Sequence, residues 1–486
     1  MDQPYSRIAD ALLDYQYWAP NDPQTNPYDD TGWTFPEGFA TQATRVMDAT
    51  VLNVPVEAVT GRIIPAGGVT GSGDVFLINA NADNALATLR YRFRSADFQA
   101  AEESFESGGQ RYARGSFIIK GVPQADLDRA ARDLGLKVTA AAAPNVKTHA
   151  VRAARIAIMH TWISTQTEGW WRLAFDQAQV PFDYISTQEA SRDANLRAKY
   201  DVILFPPAGG NAQSIVQGMP MWRNPMPWKN SPETPNISTL AQTDDMRPGL
   251  GWSGLANLEA FVKEGGVLVT SENTSQFAIT FGYTSGVTMN TPTGNAVVGS
   301  FLRSRLVDDA SPIAYGVKDS IALYSSGGES FSVGTSRGGG RGGGGGPAQR
   351  ATGRGTPDDA DAVQGRPALE DRFQLPPRPT VQPWQLGPVT DDMLRNATQL
   401  IPPEQRPRVV LRFSDQRDLL VSGLLNGGGT IAQRPVVVDV PVERGHIVMF
   451  ANNPVWRGYT LGTYALVFNT IMHFDNLNAG RKLDEK

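Results

Sequence analysis

From Arg155 to Thr270 the chain alternates strand, helix, strand and helix, and few folds accommodate that grammar. Residues 155–159 form a short apolar run, and Trp170, Trp171, Ala174, Phe175 and Ala178 mark one face of a helix. Residues 201–205 give the next strand. Leu255, Leu258, Phe261 and Val262 then mark a second helix, which stops at Gly265 and Gly266 before the strand 267–270. Strands separated by helices predict an α/β domain with a parallel sheet covered on both faces.

The remainder of the chain divides around this core. Residues 1–145 are predicted to form a smaller α+β domain, with a helix from Pro4 to Tyr15 and an ordered loop over residues 20–36. Its strands are expected at 74–79, 86–93 and 115–119. A helix ending at Leu134 should be closed by Gly135 in the left-handed conformation. The α/β domain starts near residue 151 and runs to about 325. It contains a long insertion rich in Trp, Met and Pro, from Gly209 to about Pro248, of a length that in compact domains is functional or disordered. In the segment 326–379, eight of the nine residues from Gly338 to Gly346 are glycine, so a flexible spacer is expected. The second part of the α/β domain, 380–486, offers strands at 408–412, 419–425, 436–440 and 446–450, with a closing helix over 459–474.

Composition removes several chemistries. The 486 residues contain no Cys, which excludes disulfides, thiolate metal sites and a Cys nucleophile. The net charge of −5, from 44 basic and 49 acidic side chains, argues against nucleic acid as a partner. No stretch approaches the roughly 20 apolar residues of a membrane span. The four histidines, His149, His160, His446 and His473, occur in neither His-x-x-Glu nor His-Glu-x-x-His, so no metal site is expected within the chain. The first residues contain no secretory signal, so the sequence as written is expected to be cytoplasmic. Entry directly into a helix also fits a truncated start, in which case the protein would be secreted or periplasmic.

Ligands of open parallel sheets lie outside the carboxyl ends of the strands. That places His160, Trp162, Glu168, Gly209, Gly210, Ser271, Glu272, Asn273, Asn453 and Arg457 around one candidate cleft. Ser271 at a strand-to-helix turn reads either as a nucleophile or as a helix cap, without the Gly-x-Ser-x-Gly surroundings of a hydrolase elbow. His160 reads as a base or as a hydrogen-bonded imidazole at a strand end. Trp222, Trp228 and Trp252, in or beside the insertion, are candidates for a peptide or glycan platform, whereas Trp170 and Trp171 read as core.

Residues 28–34 (Tyr-Asp-Asp-Thr-Gly-Trp-Thr), the opening Met1 to Tyr5, and Arg457-Gly458 after Asn453-Pro454 together resemble the region downstream of the catalytic domain in large bacterial zinc carboxypeptidases of the carboxypeptidase A-like family. The resemblance covers essentially the whole chain. It implies a flavodoxin-like, class I glutamine amidotransferase-like parallel-sheet domain preceded by a smaller α+β domain. It also implies zinc only in an upstream carboxypeptidase domain, none of whose zinc residues maps onto this sequence. Members with amidotransferase activity carry a Cys after the strand corresponding to 267–270 and His-Pro-Glu after the one corresponding to 447–450. Here those places read Ser271-Glu272-Asn273 and Ala451-Asn452-Asn453-Pro454, so the resemblance implies a pseudoenzyme, an accessory binding portion of a peptidase-related protein. Two further expectations stay open: a hydrolase using Ser271 or Glu272 near His160, and a structural scaffold.

Overall fold

The computed structural model describes residues 5–18, 27–336 and 380–483, apart from 45, 47, 62, 223, 238, 294–295, 388, 390–393 and 396–399. The expected spacer around Gly338–Gly346 lies outside the described residues.

The first part of the chain builds a six-stranded sheet. Its strands are β1 (Gly68–Gly71), β2 (Val75–Ile78), β3 (Asp97–Ala101), β6 (Phe117–Lys120), β7 (Lys137–Ala141) and β8 (Thr148–Ala150), in the order β1-β7-β2-β6-β3-β8. The short hairpin β4 (Phe105–Ser107) and β5 (Gln110–Tyr112) stands beside it. The helix Gln124–Leu134 ends at Gly135, whose φ of 69° suits a residue without a Cβ. Residues 85–92, expected as a strand, form a helix instead. The short apolar run did not distinguish the two states, but its Ala, Leu and Arg content favours helix, and Asp83 Oδ1 accepts the Ala85 N–H at 2.9 Å to start it.

The larger sheet has ten strands. They are β9 (Ile156–His160), β10 (Asp183–Ser186), β11 (Val202–Phe205), β12 (Val267–Ser271), β14 (Ser300–Leu306), β15 (Ser320–Ser325), β17 (Arg408–Phe413), β18 (Leu420–Ser422), β19 (Pro435–Val442) and β20 (Gly445–Phe450). The order is β10-β9-β11-β12-β20-β19-β17-β14-β15, with β18 also on β14. The first five strands are mutually parallel. Numbered by their appearance in the chain they read 2-1-3-4-5, which is the flavodoxin-like order. The remaining strands extend the sheet in antiparallel fashion, a part that helix-strand alternation gives no reason to expect. The fully buried runs 202–205 and 267–271 carry no polar alternation because helices cover both of their faces.

Three expected boundaries move. The smaller sheet extends through β8 to Ala150, past residue 145, because β8 pairs with β3. Residues 14–18 and 27–38 pack on the larger sheet, where Gly423 N–H donates to Gln16 O at 2.6 Å and Thr34 Oγ1 to Ser422 Oγ at 2.7 Å. Order continues beyond 325, since β16 (Ser330–Val333) pairs with β13 (Val287–Asn290). One hydrophobic core links the two sheets. Where they meet, His149 Nε2 lies 3.0 Å from His473 Nδ1, joining β8 to the closing helix Leu461–Met472.

Candidate functional site

β12 ends in a sharp turn into the helix Asn273–Thr280, and the residue at the turn is Glu272, with φ 50° and ψ −120°. A residue carrying a Cβ in that region is strained by about 1–3 kcal/mol. This strand-turn-helix backbone presents the nucleophile in α/β-hydrolases. Ser271, expected at the turn, is one residue too early. It is fully buried as the last residue of β12, its Oγ donates to Asn452 O at 2.8 Å, and its N–H is held by Thr274 Oγ1 at 2.9 Å.

The Glu272 carboxylate accepts from Ser326 Oγ at 2.6 Å. Desolvation lifts its pKa to about 7, with the nearby Glu329 and Asp30 charges adding to the rise and the Ser326 hydroxyl opposing it. Burial likewise raises Glu329. Three carboxyl groups thus share one corner.

A clasp built from the two ends of the chain closes that corner. Tyr324 Oη and Trp456 Nε1 each donate to Asp30 at 2.8 Å. Arg457 reaches Asp29 at 2.7 and 2.9 Å and Asp30 at 3.1 Å, with its guanidinium over Trp33 and Trp456. Arg457, expected to face a ligand, therefore holds the loop 28–34 against the loop 453–458. Residues 28–34 and 453–458, two of the three segments on which the resemblance was read, face each other in this clasp.

Asn452 and Asn453 are buried beside the elbow. Asn453 Oδ1 accepts from Trp171 Nε1 and from Val455 N–H, both at 3.2 Å, whereas the side-chain amide of Asn452 has no hydrogen-bond partner among the described residues. Asn273 serves the neighbouring loop: its Nδ2 donates to Ala208 O at 2.6 Å and Gly210 O at 2.8 Å. Gly209 packs against Ser164, where a Cβ would lie 2.7 Å from the serine Cβ, so the loops after β9 and β11 close on each other.

His160 belongs to a different corner. It ends β9, stacks on Tyr184 with ring centroids 4.2 Å apart, and meets Trp162 edge-on at 4.9 Å. Burial pushes its imidazole down to about 4. Glu168, also buried, accepts from Tyr184 Oη at 2.6 Å, and desolvation lifts its carboxyl to about 7 against the pull of that hydrogen bond and Arg172. Strand β11 separates this corner from the elbow, a gap of roughly 10 Å at two strand spacings. Among the described residues no hydrogen bond connects His160 with Ser271 or Glu272, and the expected relay is not assembled.

No family model matches the sequence, and no curated protein does. Among solved structures, the chain is similar to a cytoplasmic protein from Salmonella typhimurium at 12% identity and TM-score 0.31, covering 66% of this chain and 98% of that one. A protein from Thermoplasma acidophilum described as a putative GMP synthase component matches at 8% identity and TM-score 0.31, covering 66% and 94%. A putative ThuA-like protein from Bacteroides uniformis matches at 9% identity and TM-score 0.29, covering 68% and 96%. The fold class rests on the strand order itself.

Among the described residues no group of three His, Asp or Glu side chains is arranged to hold a metal ion, and no helix is long and apolar enough to cross a membrane. Trp222 and Trp252 are strongly exposed and Trp228 less so; Trp171 is fully buried and Trp170 half-buried. Sequence reasoning missed Asp30, Tyr324, Ser326, Glu329, Trp456 and Tyr184 as partners in these corners. Ser326 and Glu329 have no local pattern; they lie between β15, which pairs with β14, and β16, which pairs with β13, and only that pairing brings them to the elbow.

Proposed function

We propose that this chain is a non-catalytic binding portion of a zinc carboxypeptidase-like protein, with an amidotransferase-like domain whose cleft around Glu272 takes an amine-bearing peptide. The observation that carries the reading is a carboxylate at the strained elbow with no imidazole or thiolate beside it. A retained elbow without a proton relay fits binding better than acyl transfer. The clustered carboxyls of Glu272, Glu329 and Asp30 favour a cationic group, and any zinc would belong to an upstream domain.

Calorimetry with lysine-containing and acetylated peptides tests this reading. Binding of the amine-bearing peptide should strengthen as the pH rises through about 7, where Glu272 loses its proton, and Glu272→Gln should abolish that dependence. Zinc-dependent, chelator-sensitive release of C-terminal amino acids by the purified chain would overturn it.

One observation favours a second reading, hydrolysis with Glu272 as acid or base. An elbow carboxyl at about 7 is suitably poised for proton transfer near neutral pH. That reading requires Glu272→Gln to remove a hydrolytic activity while melting stays unchanged. A scaffold role is left if neither binding nor hydrolysis is found.

A further inference from the structure

The parallel end of the larger sheet stops at β10, which pairs only with β9. Ser186 N–H is turned away from β9 and donates to Glu189 Oε2 at 2.7 Å. Alternate residues of a strand present their backbone groups to the same side, so Tyr184 also points its N–H and C=O outward. Among the described residues neither group has a partner beyond the sheet.

Cavities flank this edge on both faces. The chain steps outward from β9 to β10 and then back across β9 to β11. Right-handed crossovers therefore place the helix Gln166–Gln177 on one face and the helices Thr187–Arg192 and Leu196–Lys199 on the other. A cavity of about 730 Å³ wraps the edge, lined by Phe175, Asp176, Phe182, Asp183 and, from the insertion, Leu240, and it reaches Glu189 on the second face. On the second face one of about 370 Å³ is lined by Glu189, Arg192, Asp193, Leu196 and Lys199. Ile185, Glu189 and Tyr200 border both.

We propose that β10 is a docking edge for an extended peptide with basic side chains, which adds to the sheet as a further strand. An added strand sends successive side chains to opposite faces, and the larger cavity reaches both, through Phe175 on one and Glu189 on the other. Charge selects the occupant. Asp176, Asp183 and Glu189 line the larger cavity without a basic residue among its walls, whereas the smaller one balances Glu189 and Asp193 with Arg192 and Lys199, so the acidic excess belongs to the larger cavity. Phe182 and Asp183 project to opposite faces, so apolar side chains meet Phe175 and Phe182 on the first face while the basic ones alternating with them meet Asp183 and Glu189 on the second. This edge lies apart from the elbow and does not depend on the function proposed for it.

The test uses the full chain and three end-blocked, fluorescein-labelled hexapeptides: Lys-Val-Lys-Val-Lys-Val, the same peptide with proline at the fourth position, and Glu-Val-Glu-Val-Glu-Val. Anisotropy should show the first binding at least about tenfold more tightly than either of the others. Hydrogen exchange should slow at the Tyr184 amide. Asp176→Lys and Leu240→Glu, both at exposed positions, should each weaken binding with melting unchanged. Equal affinity for the proline peptide would mean charge attraction without strand addition, and no binding would remove the docking edge; both overturn the proposal. Protection confined to amides around Glu272 would also overturn it while supporting the elbow reading. Tyr184 protection that grows with protein concentration in the absence of peptide would overturn it too, assigning the edge to a second copy of the chain.

Discussion

Glu272 and Glu168 lie at the carboxyl ends of the same sheet, and burial lifts both carboxyls to about 7, yet they are held in opposite ways. Glu168 sits in the first turn of a regular helix, is almost fully covered, and has its oxygen satisfied by Tyr184. Glu272 sits half-buried on a backbone that favours glycine, among other carboxyls, with a serine hydroxyl as its hydrogen-bond donor. A raised pKa by itself does not separate a core residue from a site. Backbone strain is a second difference between the two, and a fold retains it only where surrounding structure overrides the local cost.

The largest expected effect tests the structural side of that contrast. Glu168→Ala removes the acceptor of the Tyr184 hydroxyl and leaves a void beside it, and should cost about 2–4 kcal/mol in urea unfolding. Glu168→Gln keeps the shape and an acceptor, and should cost much less; equal losses would mean that Glu168 contributes through its charge.

The clasp comes next. Arg457→Ala removes charged hydrogen bonds to Asp29 and Asp30 and should cost about 1.5–3 kcal/mol, with faster proteolysis in residues 28–34. Unchanged cleavage there would separate the clasp from the ordering of that loop.

The smallest effect has the opposite sign. Glu272→Gly relieves the elbow and should raise stability by about 1 kcal/mol while abolishing any binding at that corner. Stabilisation of similar size by Glu168→Gly would break the comparison, since a relaxed helix interior should lose stability with glycine.

The pH dependence sharpens the comparison without removing either side chain's shape. Each carboxyl rises from its ordinary value of 4.5 to about 7 on folding, so the folded chain binds protons more tightly in that window and stability falls as pH rises through it. Glu168→Gln and Glu272→Gln should each flatten this fall in melting curves taken between pH 5 and pH 8. His149 and His473 act in the opposite sense. Burial lowers both imidazoles, so their contribution is present above the ordinary value of 6.5 and is lost as pH falls below it.

Much of the α/β domain was legible in the residues. The runs 202–205 and 267–270, the helix stripe through Leu258 and Val262, and the stop at Gly265 were read from apolar spacing, because a strand or helix covered on a known face must repeat its apolar residues at that period. The run 86–93 failed that test, since eight residues buried almost throughout show no period that separates helix from strand. The candidate residues Ser271, Glu272 and His160 all follow or end strands of the parallel sheet, but Ser271 lies within β12, Glu272 alone stands at the turn, and His160 lies two strands away.

The sequence by itself determined the strand and helix alternation, the absence of any thiol, and the glycine-rich composition of 338–346. These are local or compositional properties that need no partner. The tertiary structure alone decided that Asp30 and Arg457, 427 positions apart, form one clasp, that Ser326 donates to Glu272, and that β10 stands unpaired at the sheet edge. Such facts come from strand order and loop closure, which bring distant residues together through the burial of apolar surface across the whole chain rather than through any pattern in the segments themselves.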